Sequence, residues 1–318
     1  MQQPAPAPAP TGSTTARDAL FVALGLVTLG FVVALVRALR ARSAAGDEVR
    51  PRAPISLVSF VANFFDTLGI GSFATTTSMV RQWRIIRDEF IPGSLNIGYV
   101  LPTVAQAYIY TKKVPVDATT LILMIVASML GAWLGAGVVS RWPRRKIQIG
   151  LGAALLIFAG IMLAGMPQIG LLPSGGNALG LTGPKLVAGL LGNFLLGALM
   201  TLGIGLYAPC MILIYLLGMN PAAAFPIMMG SCAFLMPLAS VRFLRTGAYE
   251  PKAILGMLLA GVPAVLIAAF WVTSLDINKV KWLVVVVVTY AAIGLLRAAR
   301  RERDIASAAT AAETQPAI

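Results

Sequence analysis

Histidine is absent from this sequence of 318 residues, and cysteine occurs only twice, at Cys210 and Cys232. Without histidine there can be no histidine metal site, no Ser/His or Cys/His catalysis and no histidine proton relay. Both cysteines lie in apolar stretches and do not indicate a disulfide framework. No acid pair lies deep in an apolar segment, and no Gly-x-x-x-x-Gly-Lys-Ser/Thr phosphate-binding loop is present. These absences argue against an enzyme, and we expect no catalytic residue, metal or cofactor.

Charged residues are also scarce: they make up 12% of the chain, whereas 58% of its residues are hydrophobic. A soluble domain of this length cannot bury so much apolar surface, but a lipid bilayer can, through helices of about 20 apolar residues. The net charge of +13 does not indicate nucleic acid, because the basic residues form short clusters between apolar runs. Composition therefore predicts an all-α integral membrane protein whose partner is the lipid bilayer.

A tail rich in proline and alanine precedes the apolar segments. We expect residues 1–16 to be extended and disordered. An extra N-terminal transmembrane helix follows at 17–42, and no small-residue cleavage pattern of a signal peptide closes it. The later apolar segments run at 55–80, 91–110, 118–140, 146–166, 184–219, 222–244, 253–273 and 280–297.

One five-residue sequence occurs twice. Thr67-Leu-Gly-Ile-Gly71 returns 134 residues later as Thr201-Leu-Gly-Ile-Gly205, and the same offset keeps the later segments in step. We therefore predict two related transmembrane repeats at 54–166 and 184–300. An extracytoplasmic linker at 167–183 joins them, and a cytoplasmic tail at 301–318 follows the second.

Lysine and arginine counts indicate how the repeats are oriented. If each Thr-Leu-Gly-Ile-Gly segment crosses the membrane once, 15 basic residues lie inside and 10 outside; if each enters and returns, the numbers are 19 and 6. The positive-inside rule favours the second arrangement, with an extracytoplasmic N-terminus and a cytoplasmic C-terminus. Each repeat then has three spanning helices plus a broken or re-entrant helical hairpin, and the two repeats have inverted topology. Broken helices in inverted repeats are a recurrent architecture of transporters.

The first break is a candidate anion site. Gly69 and Gly71 free the backbone to turn, and a helix restarting after Gly71 presents unpaired N–H groups and a positive dipole end. Alternatively, the glycines allow close helix packing and the nearby hydroxyls bond back to their own helix. The other substrate-binding candidates of this break are Asn63, Thr67, Ser72, Thr75 and Thr76.

Asp66 is the one acidic residue deep in an apolar segment. Such a group is costly in a membrane and usually functional, which makes Asp66 a candidate for coupling transport to protons. It could equally cap the restarting helix through backbone N–H groups. The equivalent position of the second half is Met200, so the two breaks differ at this point.

The second break contributes the remaining candidates. A packing role for the cysteines is the alternative to contact with a ligand. The spacing of Gly131 and Gly135 suits internal packing or a homodimer face. Polar residues in the segments after each break are weaker candidates: Asn96, Thr103 and Gln106 in the first half, Ser231 and Ser240 in the second. The substrate-binding candidates of the second break are Thr201, Gly203, Gly205, Tyr207 and Cys210.

Residues 63–74, the second Gly-x-Gly followed by Pro209, and the two-halved layout resemble the TauE/SafE sulfite exporter family, also called the toluene-sulfonate uptake permease family. The resemblance covers about residues 54–300. It implies a multi-pass secondary transporter, an exporter, in the bacterial or archaeal inner membrane, which carries a small sulfur-containing anion such as sulfite or an organosulfonate and uses the proton gradient. A passive anion channel and a non-transporting membrane subunit or sensor are the alternatives.

Overall fold

The computed structural model describes residues 12–139, 143–166, 168–169, 171, 176–200, 205–274 and 277–314. In this part of the chain the regular secondary structure is entirely helical, and no strand is formed. The prediction of an all-α protein is therefore confirmed. Two 3-10 turns, at Asp88–Phe90 and Pro221–Ala223, accompany twelve α-helices. These are α1 (Gly12–Ala44), α2 (Ala53–Thr67), α3 (Ser72–Gln82), α4 (Ile91–Gly98), α5 (Val100–Lys113), α6 (Ala118–Val139), α7 (Arg144–Ala164), α8 (Gly183–Met200), α9 (Tyr207–Leu216), α10 (Ala224–Thr246), α11 (Pro251–Thr273) and α12 (Ile277–Thr314).

Six helices in the described ranges are long and apolar enough to cross a membrane. Large apolar side chains also cover the outside of the bundle: Trp133 is 79% exposed and Leu191 is 67% exposed. A surface of this kind is stable against hydrocarbon rather than water. The architecture is that of a multi-pass membrane protein. The six candidate spans are Thr15–Ala44, Arg145–Ala164, Gly183–Met200, Pro221–Thr246, Pro251–Trp271 and Lys281–Arg301.

Helix α1 is longer at both ends than the predicted segment at 17–42. It begins at Gly12, inside the stretch for which the sequence predicts disorder, because Pro10 is the last proline before it and nothing after Pro10 prevents helix formation. The helix packs against α5, α6 and α10. Arg17 donates a hydrogen bond to the Val116 carbonyl at 2.6 Å, and Arg42 donates one to the Gly247 carbonyl at 2.8 Å. Both ends of α1 are thus attached to the rest of the bundle.

The segment predicted at 91–110 is two helices. Helix α4 ends at Gly98 and α5 begins at Val100, with Tyr99 between them. Pro102 explains the interruption, because a proline ring clashes with the carbonyl four residues earlier, here that of Gly98. Pro237, by contrast, lies inside an unbroken α10.

The strongest packing joins residues from the two halves of the chain. Helix α2 packs on α11, α8 packs on α6, α5 on α10 and α7 on α12. Glycine permits the close approach at these crossings: a Cβ at Gly131 would overlap the Phe194 carbonyl, and a Cβ at Gly261 would lie 2.9 Å from Asn63 Nδ2. Gly131 therefore serves packing within the chain, which is one of the two roles that its spacing indicates.

Similar polar contacts hold the two broken helices to their neighbours. The Ser59 hydroxyl of α2 donates to the Met257 carbonyl of α11 at 2.9 Å. The Asn193 amide of α8 donates to the Met124 carbonyl of α6 at 2.6 Å. Ser59 and Asn193 are 134 residues apart, and the two methionines are 133 apart, so these contacts recur at the spacing of the sequence repeat.

Candidate functional site

The first break lies between α2 and α3, at the glycines that the sequence singled out. Gly69 has φ +97° and Gly71 has φ +86°, both in the left-handed region that favours glycine. The side-chain methyl group of Met211, from α9, occupies the space where a Cβ at Gly69 would lie. Glycine at this position therefore both turns the backbone and admits a residue of the second half.

Asp66 is at the centre of this break and is 3% exposed. The Ser72 backbone N–H, at the start of α3, donates to its Oδ1 at 2.6 Å. The Gln106 amide of α5 donates to its Oδ2 at 2.9 Å, and the Tyr207 hydroxyl of α9 donates to the same oxygen at 3.5 Å. We call Asp66, Ser72, Gln106 and Tyr207 the carboxylate cluster. The cap that Asp66 could form on the restarting helix is present.

Tyr207 joins the two breaks. It is the first residue of α9, which follows the second Gly-x-Gly. Its single hydroxyl hydrogen is shared between Gln106 Oε1 at 3.2 Å and Asp66 Oδ2 at 3.5 Å. Segments of the chain about 140 residues apart thus meet at one buried carboxylate.

The carboxylate is balanced by neutral donors. Among the described residues, no lysine or arginine forms an ion pair with Asp66, and the described ion pairs involve residues near helix ends, such as Arg42–Asp47 and Arg81–Asp88 at 3.0 Å each. A carboxylate withdrawn from water is costly unless hydrogen bonds compensate it. A backbone N–H, an amide and a hydroxyl supply that compensation here.

Thr67 and Tyr110 fix the end of α2 beside the carboxylate cluster. The Gln106 amide donates to Thr67 Oγ1 at 2.9 Å, and this hydroxyl donates to the Asn63 carbonyl at 2.7 Å. The Tyr110 hydroxyl donates to the Thr67 carbonyl at 2.8 Å, and the Tyr110 ring stacks on Phe225 with centroids 5.0 Å apart. These contacts hold Gln106 and the helix terminus in place.

Two threonines that the sequence predicts as substrate donors have other partners. Thr75 contacts the Gly71 carbonyl of its own helix at a long 3.5 Å, as the alternative interpretation expects. Thr76 shares a hydrogen bond of 2.6 Å with the Tyr99 hydroxyl, at the junction of α4 and α5. Neither threonine is hydrogen-bonded to Asp66.

Asn63 and Asn193 are fully buried in the two broken helices. The Asn63 amide donates to the Ser59 carbonyl at 2.9 Å and to the Ser59 hydroxyl at 3.1 Å. The Oδ1 atom of each asparagine is buried and accepts no hydrogen bond from any described residue. A buried acceptor of this kind favours a donor from outside the chain, such as water or a bound ligand.

The second break is described only in part. Thr201 and Gly203 lie outside the described residues, and Gly205 is exposed with open space where its Cβ would be. Cys210 is fully buried, and the Cys232 thiol lies 3.6 Å from the Met200 sulfur. Of the predicted residues in this break, the structure brings Tyr207 to Asp66.

Sequence reasoning ranked Gln106 among the weaker candidates and did not single out Tyr99 or Tyr110. Gln106 bonds to Asp66, Thr67 and Tyr207, and it is therefore central to the cluster. A usable signal was present, because a tyrosine or glutamine in an apolar segment must find a partner for its polar end. Pairing such residues across helices requires the packing, which the sequence does not give.

The cluster presents three hydrogen-bond donors to one small anionic group, which is the arrangement expected of a site for an oxyanion. Comparison of the chain with protein-family models, with curated proteins and with solved structures gives no match in any of the three. A function is therefore inferred from the geometry of the site and from the sequence resemblance.

Proposed function

We propose that this chain is a secondary transporter that moves a small sulfur-containing anion, such as sulfite or an organosulfonate, across a bacterial or archaeal inner membrane. The observation that carries the proposal is the meeting of the two helix breaks at the carboxylate cluster, where Tyr207 of one half contacts Asp66 and Gln106 of the other. Interrupted helices meeting inside a bundle are characteristic of transporter binding sites. The sulfur chemistry rests on the sequence resemblance alone.

We further propose that the two halves are inverted repeats, with the N-terminus outside and the C-terminus inside. The recurring contacts Ser59–Met257 and Asn193–Met124 support a two-fold relationship between the halves. Thr103 and Met236, 133 residues apart, contact each other at 3.6 Å, as equivalent residues do close to a two-fold axis. The inversion itself rests on the distribution of lysine and arginine. In this arrangement α1 is an extra helix outside the repeats.

The proposed energy source is the proton gradient, and Asp66 is the proposed proton carrier. It is the acidic residue at the meeting point of the breaks, and it is 3% exposed. Binding a proton would neutralise the buried charge of Asp66, whereas capping a helix does not require Asp66 to change its protonation state. A passive anion channel would give anion flux without dependence on a pH gradient, and a non-transporting subunit would give no flux.

The test is flux of radiolabelled sulfite in proteoliposomes that contain the full chain. We expect sulfite to accumulate when a pH gradient is imposed, and to equilibrate without accumulation when an ionophore removes the gradient. Liposomes without protein control for leakage, which matters because protonated sulfite crosses lipid. The Asp117→Asn variant controls for the loss of a carboxylate outside the site and should transport sulfite as the unaltered chain does. Asp117 accepts a hydrogen bond from the Thr120 N–H at the start of α6 at 2.8 Å, and it is exposed. Flux no greater than that of empty liposomes, for sulfite and organosulfonates alike, would contradict the proposal.

A further inference from the structure

The donors proposed for the transported anion are already occupied by an anion, the side chain of Asp66. The Ser72 N–H lies 2.6 Å from one carboxylate oxygen. The Gln106 amide and the Tyr207 hydroxyl lie 2.9 and 3.5 Å from the other. Because Asp66 engages all three donors, a second anion cannot use them while the carboxylate stays in place.

The surroundings offer no positive charge that would let two anions share this space. The titratable groups that interact electrostatically with Asp66 are Tyr99 and Tyr110 from the α4–α5 segment, Tyr207 from α9 and Cys232 from α10. Phenols and thiols are neutral when protonated and negative when deprotonated, so none of these groups supplies a positive charge. No lysine or arginine of the described residues is paired with Asp66. An anion next to an ionised Asp66 would therefore meet uncompensated repulsion.

We propose that Asp66 is a tethered anion that competes with the transported anion for the Ser72, Gln106 and Tyr207 donors. The inference rests on the proposed function, and it specifies how the proton is coupled to the anion. A proton from the aqueous side binds the carboxylate, which becomes a neutral acid and leaves the three donors. The transported anion then accepts the same hydrogen bonds, and one proton moves with each anion in the same direction. An inward proton gradient would therefore drive the anion inward, opposite to the export that the family resemblance implies. In the empty protein the carboxylate returns, so the donors are never left unsatisfied.

Binding of methanesulfonate to the full chain in detergent micelles tests the inference, because the charge of this anion does not change near neutral pH. We expect calorimetry in buffers of different ionisation enthalpy to give an uptake of one proton per anion. Over the range in which Asp66 is ionised in the empty protein, affinity should fall about tenfold for each pH unit. Asp66→Asn, which keeps the shape but not the charge, should bind the anion with no pH dependence and no linked proton uptake.

The Asp117→Asn variant should bind with the pH dependence of the unaltered chain, since its carboxylate is an exposed cap outside the cluster. The inference is overturned if folded Asp66→Asn keeps the full pH dependence, or if it no longer binds the anion. If the unaltered chain binds neither methanesulfonate nor sulfite, the proposed function itself fails. The two failures are therefore distinct.

A second measurement does not depend on the folding of any variant. Infrared difference spectra of the unaltered chain, recorded with and without methanesulfonate, should show a carboxylic-acid carbonyl band gained on binding. Asp66 is the one acidic residue among the buried side chains of the described residues, so such a band is assigned to Asp66. Binding of the anion without this band would overturn the proposal.

Discussion

The two helix breaks hold equivalent places in the sequence repeat but differ in chemistry. Asp66, Thr76 and Tyr99 in the first half correspond, at offsets of 134, 134 and 133, to Met200, Cys210 and Cys232 in the second. In the first set, Thr76 and Tyr99 share a hydrogen bond of 2.6 Å, and Asp66 is hydrogen-bonded within the carboxylate cluster. In the second set, the contact is between sulfur atoms: the Cys232 thiol lies 3.6 Å from the Met200 thioether.

This difference in chemistry indicates different roles for the two breaks, although they hold equivalent positions in the repeat. Oxygen groups in an apolar interior demand partners, so the first break is fixed by a hydrogen-bonded network. Thiols and thioethers pack as soft apolar groups and make weaker demands on geometry. We interpret the first break as the proton and anion site. In this interpretation the second break contributes Tyr207 to the site, and its sulfur side chains serve packing.

The largest effect is expected from removing the carboxylate of the first break. Asp66→Leu leaves the Ser72 N–H and one Gln106 amide hydrogen without an acceptor, and we expect the free energy of unfolding to fall by about 3 kcal/mol. Thermal and denaturant unfolding in detergent would measure this loss. Met200→Leu, at the equivalent position of the second break, is the matched control and should cost less than about 1.5 kcal/mol. Equal costs at the two positions would remove the distinction between the breaks.

The next largest effect is expected when a glycine of the first break gains a Cβ. Gly69→Ala places a Cβ in the left-handed region and against Met211, and we expect a loss of about 2 kcal/mol. Gly205→Ala, in the second break at the position equivalent to Gly71, meets open space and should change stability by less than about 0.5 kcal/mol. The same unfolding measurements apply, and a Gly205→Ala variant as unstable as Gly69→Ala would refute the prediction.

Removing a single oxygen atom, that of the Tyr207 hydroxyl, abolishes the hydrogen-bonded contact between the breaks. Tyr207→Phe removes the hydroxyl that bonds to Asp66 and Gln106 and should lower stability by about 1.5 kcal/mol. The repeat position equivalent to Tyr207 is Phe73, so an aromatic ring without a hydroxyl is accepted at that place in the other half. Sulfite flux should fall in the same variant because the anion loses a donor. Unchanged flux would exclude Tyr207 from the site.

The smallest effect is expected in the sulfur set. Cys232→Ala removes a buried thiol that contacts Met200, and its cost should stay below about 1 kcal/mol. The pH dependence of sulfite flux should not change. Loss of flux with stability retained would mean that the second break binds the substrate through sulfur. The roles assigned to the two breaks, binding for the first and packing for the second, would then be wrong.

The sequence predicted the helical class and the positions of both breaks, and it singled out Asp66, because apolar runs, glycines and a lone acid are local signals. It did not predict that the segment after the first break would divide at Tyr99, although Pro102 contained that information. Nor did it give Gln106 its central place or match Tyr110 with Thr67. Those contacts depend on how α5 packs beside α2 and α9, which no local pattern specifies.

The proposed transport function requires both breaks to face the anion from opposite sides of the membrane. Single cysteines introduced as Ser72→Cys and Leu206→Cys, in a chain with Cys210 and Cys232 changed to alanine, would test this directly with membrane-impermeant thiol reagents. We predict that the two positions are labelled from opposite sides and that sulfite protects both. Two positions unreactive from either side, in a protein that still transports sulfite, would contradict the account.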